Sequence, residues 1–233
     1  MRLIIVVEGQ TEEAFVNQVL APHLANKEIY VSATIVGKLV AQKRRHRSRG
    51  GGHFSNWQRD IQRILGGDRR PDLRVSTLFD LYGLPRDFPG LDIHATIPDT
   101  AQRCAALETA LASTFDDWRF IPYIQRHEFE ALVLAALPSL RAVFDAEDDL
   151  AGLRALETEL AGAAPEDIND GKKTSPSKRL LHHLPGFNKT LHGPLATSAT
   201  GLVTLRRLCP RFDRWVSSLE QPPAGPAPRT PSH

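Results

Sequence analysis

Polar and apolar positions fall into short runs that change period along the chain. Leu3 to Val7 is an unbroken apolar run rich in β-branched residues, the pattern of a strand covered on both faces. It stops at Glu8-Gly9. Thr11 then offers a helix N-cap, Glu12 and Glu13 fall in the first turn, and Phe15, Val19 and Leu20 follow at helical spacing. Ile29 to Val36 predicts a second strand. Ser55 predicts the cap of a helix that carries Trp57, Ile61, Ile64 and Leu65 on one face and closes at Gly66-Gly67. Val75 to Phe79 predicts a third strand, ending in Asp80 and followed by Tyr82-Gly83. A helix is expected from Asp99 to Phe115 with Leu107, Leu111 and Phe115 inward, then a short strand over Phe120 to Ile124 and a helix from Glu128 through Leu134.

Strands alternating with helices predict an α/β fold built on a mainly parallel sheet flanked by helices, with right-handed crossovers. After Pro138 the pattern is helical and loop-rich, with no clear strand. The expected organisation is an α/β core over 1–137, a helical extension completing the domain over 138–220, and a disordered Pro/Gly/Ala/Ser tail over 221–233.

Composition narrows the class. Among 233 residues, 41% are hydrophobic and 24% charged, as in ordinary packed domains, which argues against a disordered or fibrous chain. The formal net charge of +2 selects no partner by itself. Cys104 and Cys209 lie far apart and outside any CxxC pair, so neither zinc nor a redox motif is indicated. The N-terminus meets a charge at Glu8, too early for a signal peptide, and no apolar run approaches the ~20 residues that cross a bilayer. A cytoplasmic protein without membrane association is expected.

The candidate chemistry sits at strand ends. In an open parallel sheet, ligands bind outside the carboxyl ends of the strands, and Glu8 and Asp80 each follow a buried strand directly. Glu12 lies four residues beyond Glu8, although the helix dipole alone also accounts for Glu12 and Glu13. A capped turn equally accounts for Asp80. On neighbouring strands, two such acids would come within reach of one hard cation, Mg²⁺ or Mn²⁺. The other strong signal is basic: Lys43, Arg44, Arg45, Arg47 and Arg49 crowd a glycine-rich stretch ending at Gly52. Lys172, Lys173, Lys178 and Arg179 form a second group, with Lys178 the candidate to approach a reacting phosphate. Clustered cations without interleaved aromatics favour phosphate contact over base reading. There is no GxxxxGK[ST], GxGxxG or GxSxG motif.

Val7-Glu8-Gly9 with Thr11-Glu12, followed by a strand ending in Asp80, resembles the TOPRIM core of topoisomerases, primases and overcoming-lysogenization-defect nucleases. Arg126-His127-Glu128-Phe129-Glu130 is similar to the acidic helix start of the nuclease branch. Together with Asp80-Leu81-Tyr82-Gly83-Leu84-Pro85 and the segment from Asn169 to Arg179, the pattern resembles bacterial domain-of-unknown-function family 4276, which is TOPRIM-like. The resemblance covers Met1 to Arg179. It implies metal-dependent cleavage or transfer at a phosphodiester, with Glu8 as general acid or base and Asp80 as first metal-binding aspartate. One departure stands out: the usual Asp-x-Asp has Tyr82 at its second position, so Glu12, Glu128 or Glu130 must complete the metal site.

The expectation is therefore a Mg²⁺- or Mn²⁺-dependent TOPRIM-like nuclease acting on DNA or RNA, an effector beside a separate ATPase in phage defence. The competing expectation, motivated by Tyr82, is a nucleic-acid-binding or regulatory partner that has lost catalysis. The sequence leaves the oligomeric state open, a homo-oligomer included.

Overall fold

The computed structural model describes residues 1–37, 52–168, 171 and 173–221. Its centre is a parallel sheet in the order β2-β1-β3-β4, made of β1 (Arg2–Val7), β2 (Tyr30–Ile35), β3 (Leu73–Asp80) and β4 (Phe120–Ile121). A further short strand, β5 (Ile124–Gln125), continues alongside β3. The long apolar runs lie in the middle: seven of the eight residues of β3 are buried, whereas only one of the six residues of the edge strand β2, Ile35, is buried. Strand period explains the division of side chains. Leu3, Ile5 and Val7 join one core, and Val6 joins the other on the opposite face.

On the Val6 face lie α3 (Phe54–Gly67) and α5 (Thr100–Phe115), bringing Trp57, Ile61, Leu65, Cys104, Leu107 and Leu111 against Val75 and Phe79. The opposite face is covered by the helix that follows β1 and by helices from the second half of the chain. The first runs through α1 (Gln10–Phe15), a π-helical stretch at Val16–Leu20 and α2 (Ala21–Ala25). The others include α6 (Glu130–Ala135), α7 (Glu147–Glu159), α8 (Pro176–His183), α9 (Lys189–Thr200), α10 (Leu202–Leu208) and α11 (Pro210–Glu220). No described residue after 138 is in a strand. A short helix, α4 (Leu91–His94), precedes α5. Among the described residues no helix is long and apolar enough to cross a membrane.

Four local expectations are corrected. The first helix begins at Gln10 with extended Gly9 at its N-cap, and Thr11 is buried inside it. The helix predicted from Ser55 begins at Phe54, whose N–H donates to Asp87 Oδ1 at 2.9 Å, so a distant carboxylate does the capping. The strand expected over Phe120 to Ile124 is interrupted, because Pro122 has no N–H for a ladder. Thr77 bridges the gap: its Oγ1 donates to Tyr123 O and accepts the Tyr123 N–H, both at 2.8 Å. Finally, His127 takes a left-handed φ of 66°, so the helix starts at Glu130 and leaves Glu128 ahead of it.

The C-terminal helices are fastened to the sheet by polar contacts as well as by the core. Trp215 of α11 stacks on Tyr123 with centroids 4.4 Å apart and donates its Nε1–H to Ser76 Oγ at 2.9 Å. Glu108 of α5 accepts the Ile124 N–H at 2.7 Å and pairs with Arg211. Glu166, 4% exposed, accepts the N–H groups of Arg211 and Phe212 at 2.8 and 3.0 Å, and so caps α11 from a remote segment. Glu166→Ala leaves two N–H groups of a buried helix start without partners and is expected to lower stability by about 1–3 kcal/mol. Urea denaturation checks this; a midpoint equal to that of the unsubstituted protein contradicts it.

Candidate functional site

β1 and β3 are adjacent and parallel, with Val7 opposite Leu78. Their carboxyl ends therefore deliver Glu8 and Asp80 to one place. The contact is direct: the Asp80 N–H donates to Glu8 Oε1 at 2.6 Å. The turn after Asp80, closed by the Gly83 N–H on Asp80 O at 3.0 Å, wraps the other side of the same carboxylate. A Cβ at Gly83 would stand 2.3 Å from Glu8 Oε2, so a larger residue there would have to displace the Glu8 carboxylate. Glu12 enters from α1, 4% exposed, with Oε2 placed 3.2 Å from where a Gly9 Cβ would be. Glu130 enters from the start of α6 and is 2% exposed. Two of these carboxylate oxygens, Asp80 Oδ1 and Glu130 Oε1, are buried without a hydrogen-bond partner among the described residues.

Among the described residues, one cation pairs with the group. Lys189 is the first residue of α9, which packs Gly193 against Phe129 and Thr11. Its Nζ lies 3.9 Å from Glu130 Oε1 while 57% of its side chain remains exposed, a loose ion pair at the mouth of the site. Asn188 Oδ1 accepts the N–H groups of Thr190 and Leu191 and fixes the start of that helix.

The electrostatics follow from burial and like charge. Burial raises the pKa of Glu8 to about 7; the Asp80 N–H opposes this, Glu12 adds to it and Lys189 reduces it. Burial likewise pushes Asp80 well above the usual aspartate range, with repulsion from Glu8, Glu12 and Glu130 in the same direction. Glu12 and Glu130 are also raised, chiefly by burial. Burial alone would lower the Lys189 ammonium, but attraction to Glu130, Asp80 and Glu12 outweighs it and the net shift is upward.

The other candidate residues are distributed less tightly. Glu128 lies ahead of α6, and its Oε2 accepts the Ser177 N–H at 3.0 Å, capping α8. Its charge contributes to the shifts of both Glu130 and Lys189. Lys178 and Lys173 are exposed, and among the described residues no hydrogen bond or ion pair joins the Lys178 side chain to these carboxylates. Arg179 pairs with Glu159 and donates Nε to Thr174 O at 2.8 Å, so it serves the packing of α7 on α8. Lys43, Arg44, Arg45, Arg47, Arg49 and Lys172 lie outside the described residues, as does the tail beyond Gln221. Lys189 was not among the residues singled out from the sequence. Its one signal there is a lysine directly after a strong Asn cap, where the helix dipole disfavours positive charge.

Tyr82 does not act as a substitute acid. Its hydroxyl lies 3.0 Å from His127 Nδ1. His127 is 2% exposed, and burial, with Arg126 adding to it, drives its pKa down to about 4. Among the described residues, no three His, Cys, Asp or Glu side chains stand as a ready-made metal-coordinating group. The donor chemistry nevertheless fits a hard divalent cation. All the donors are carboxylate oxygens, two have no hydrogen-bond partner among the described residues, and their mutual repulsion is relieved by positive charge. The side chains would have to draw together around the ion.

A family model described as Domain of unknown function (DUF4276) matches residues 7–220. No curated protein matches the chain. Among solved structures, the C-terminal region of the Burkholderia pseudomallei OLD protein is similar, with 16% identity, 94% of this chain and 98% of that chain covered, and a TM-score of 0.45. The C-terminal region of the Xanthomonas campestris pv. campestris OLD protein is similar at 16% identity, with the same coverage and a TM-score of 0.41.

Two outcomes follow from this geometry. With Glu8 raised from 4.5 to about 7, the folded metal-free protein holds a proton that the unfolded chain releases. Stability contributed at this residue therefore falls as pH rises through that window and is level above it. In EDTA, Glu8→Gln should flatten the decline of Tm with pH between those limits; parallel curves for the two proteins would contradict the assignment. Gly83→Ala places a methyl group inside contact distance of the Glu8 carboxylate and should cost about 1–3 kcal/mol. An unchanged urea midpoint would show that the turn yields freely.

Proposed function

The chain belongs to the family described as Domain of unknown function (DUF4276), and from that premise we propose that it is a metal-dependent, TOPRIM-like nuclease that cleaves nucleic-acid phosphodiesters. The observation that carries this reading is the direct contact of Glu8 with Asp80 at the ends of two central parallel strands. Mg²⁺ or Mn²⁺ bound there would polarise the scissile phosphate and lower the pKa of a bound water. Asp80, Glu12 and Glu130 are the residues to hold it, with Glu128 at the margin. Glu8, poised near neutrality by burial, gives up or takes a proton within the working pH range, as general acid–base chemistry requires. Lys189 meets the non-bridging phosphate oxygens at the open side, where its exposed side chain is free to swing from Glu130 to the substrate. The basic residues from Lys43 to Arg49, with Lys172, Lys173 and Lys178, supply sequence-tolerant phosphate contacts. The resemblance also supports work beside an ATPase in phage defence.

Purified protein with plasmid DNA or transfer RNA in Mg²⁺ or Mn²⁺ tests the proposal. Cleavage should vanish with EDTA and fall by on the order of 10²–10⁴-fold in Glu8→Gln and Asp80→Asn. Lys189→Ala should lose more activity than Lys189→Arg, which keeps the charge. No cleavage by the unsubstituted protein, or equal cleavage by Asp80→Asn, rejects the nuclease reading.

A second reading is favoured by one observation: Tyr82 stands where another acid is expected, engaged with His127. On this reading the protein is an inactive nucleic-acid-binding or regulatory partner. Calorimetry separates the two. Saturable Mg²⁺ or Mn²⁺ binding that disappears in Asp80→Asn counts against an inactive module.

A further inference from the structure

Lys189 stands where its own helix does not favour a cation. It is the first residue of α9, directly after the Asn188 cap, and a helix N-terminus repels positive charge. Burial opposes the ammonium as well, but Glu130, Asp80, Glu12 and Glu128 all attract it. The acid it pairs with, Glu130, has Oε1 buried without a hydrogen-bond partner among the described residues. At 3.9 Å the Nζ is too far away to donate to that oxygen, so it neutralises the carboxylate by charge alone. The stem is anchored: Gly193, one turn on, lets α9 lie close against Phe129, Val133 and Thr11. The head is not. With 57% of the side chain exposed, the ammonium can leave without giving up a buried position.

A divalent ion and this ammonium cannot both serve Glu130 Oε1. The ion carries twice the charge and bonds directly to carboxylate oxygens, whereas the ammonium makes no hydrogen bond to this one. Once the ion is in place, two positive centres face each other beside buried groups, where repulsion is poorly screened. We infer that Lys189 is a tethered counter-ion that holds the carboxylates in the metal-free protein and is expelled when Mg²⁺ or Mn²⁺ binds, so that the metal must load before Lys189 can take a substrate phosphate. The inference rests on the metal-dependent nuclease reading and adds the regulation of that site. Without metal the phosphate contact is withheld, because one ammonium cannot serve the acids and a phosphate together. The coupling is reciprocal: what Lys189 adds to the metal-free protein it subtracts from the affinity for the ion.

Calorimetry with Mg²⁺ and with Mn²⁺ on the full chain tests this, with thermal unfolding of the same samples. Lys189→Gln removes the charge and keeps most of the stem, and should bind either ion about tenfold tighter than the unsubstituted protein. Lys189→Arg keeps the charge and should gain no affinity. In EDTA, Lys189→Gln should melt about a few degrees lower, having lost the counter-ion, and saturating Mg²⁺ should erase that deficit. A lysine with a purely structural role would leave the same deficit in both buffers. Equal or weaker ion binding by Lys189→Gln, or a deficit that persists at saturating Mg²⁺, overturns the counter-ion and leaves the metal site standing. No ion binding by the unsubstituted protein and by Lys189→Gln alike overturns the metal-dependent reading as well.

Discussion

The structure turns on negative charge that the sheet forces together. β1 and β3 pair in parallel and in register, so Glu8, directly after β1, and Asp80, the last residue of β3, emerge side by side, and both are acids. Two like charges ~4 Å apart repel by about 4 kcal/mol at an effective dielectric near ~20. A net hydrogen bond contributes about 0.5–1.5 kcal/mol. The Asp80 N–H on Glu8 therefore cannot compensate for full ionisation of the group. Shared protons, Lys189 or a bound cation must do so. Burial pushes Glu8 and Asp80 upward and repulsion from neighbouring carboxylates adds to it, and a buried oxygen of Asp80 and one of Glu130 keep no hydrogen-bond partner among the described residues.

The second half of the chain completes this site as well as covering the sheet. α6 brings Glu130, α9 brings Lys189, and Glu128 ties the site to α8 through the Ser177 N–H. The packing that holds these helices is itself tied to the sheet, by Trp215 on Ser76 and Tyr123 and by Glu166 at the start of α11. Close approach is built in elsewhere too: a Cβ at Gly152 would stand 2.0 Å from His183 O, so α7 meets the end of α8 backbone to side-chain-free backbone. A loosened C-terminal helix would thus move Lys189 and Glu130 relative to the strand ends. Stability and electrostatics at the site are coupled through these contacts.

Much of this was legible in one dimension. Unbroken apolar runs that end in Glu8 and Asp80 encode central strands with acids at their carboxyl ends, because a strand buried on both faces has no polar side and an acid there can only lie at its mouth. The helix over 100–115 and the strand-poor second half were readable from hydrophobic period and caps for the same local reason. What sequence could not supply was anything set by contacts between distant residues. Capping of Phe54 by Asp87 and of α11 by Glu166 involves partners 33 and 45 residues away, which no window of residues reveals. Lys178 is a candidate phosphate contact in the sequence because it lies in a basic run, and the fold leaves it exposed; that Lys189 also comes to the acids, with Nζ 3.9 Å from Glu130 Oε1, no run of residues reveals. Local pattern is written by neighbours along the chain, so the sequence determined the strands, their order of acids and the helical cover. Which charges meet is decided by register and helix packing, and only the tertiary structure decided that.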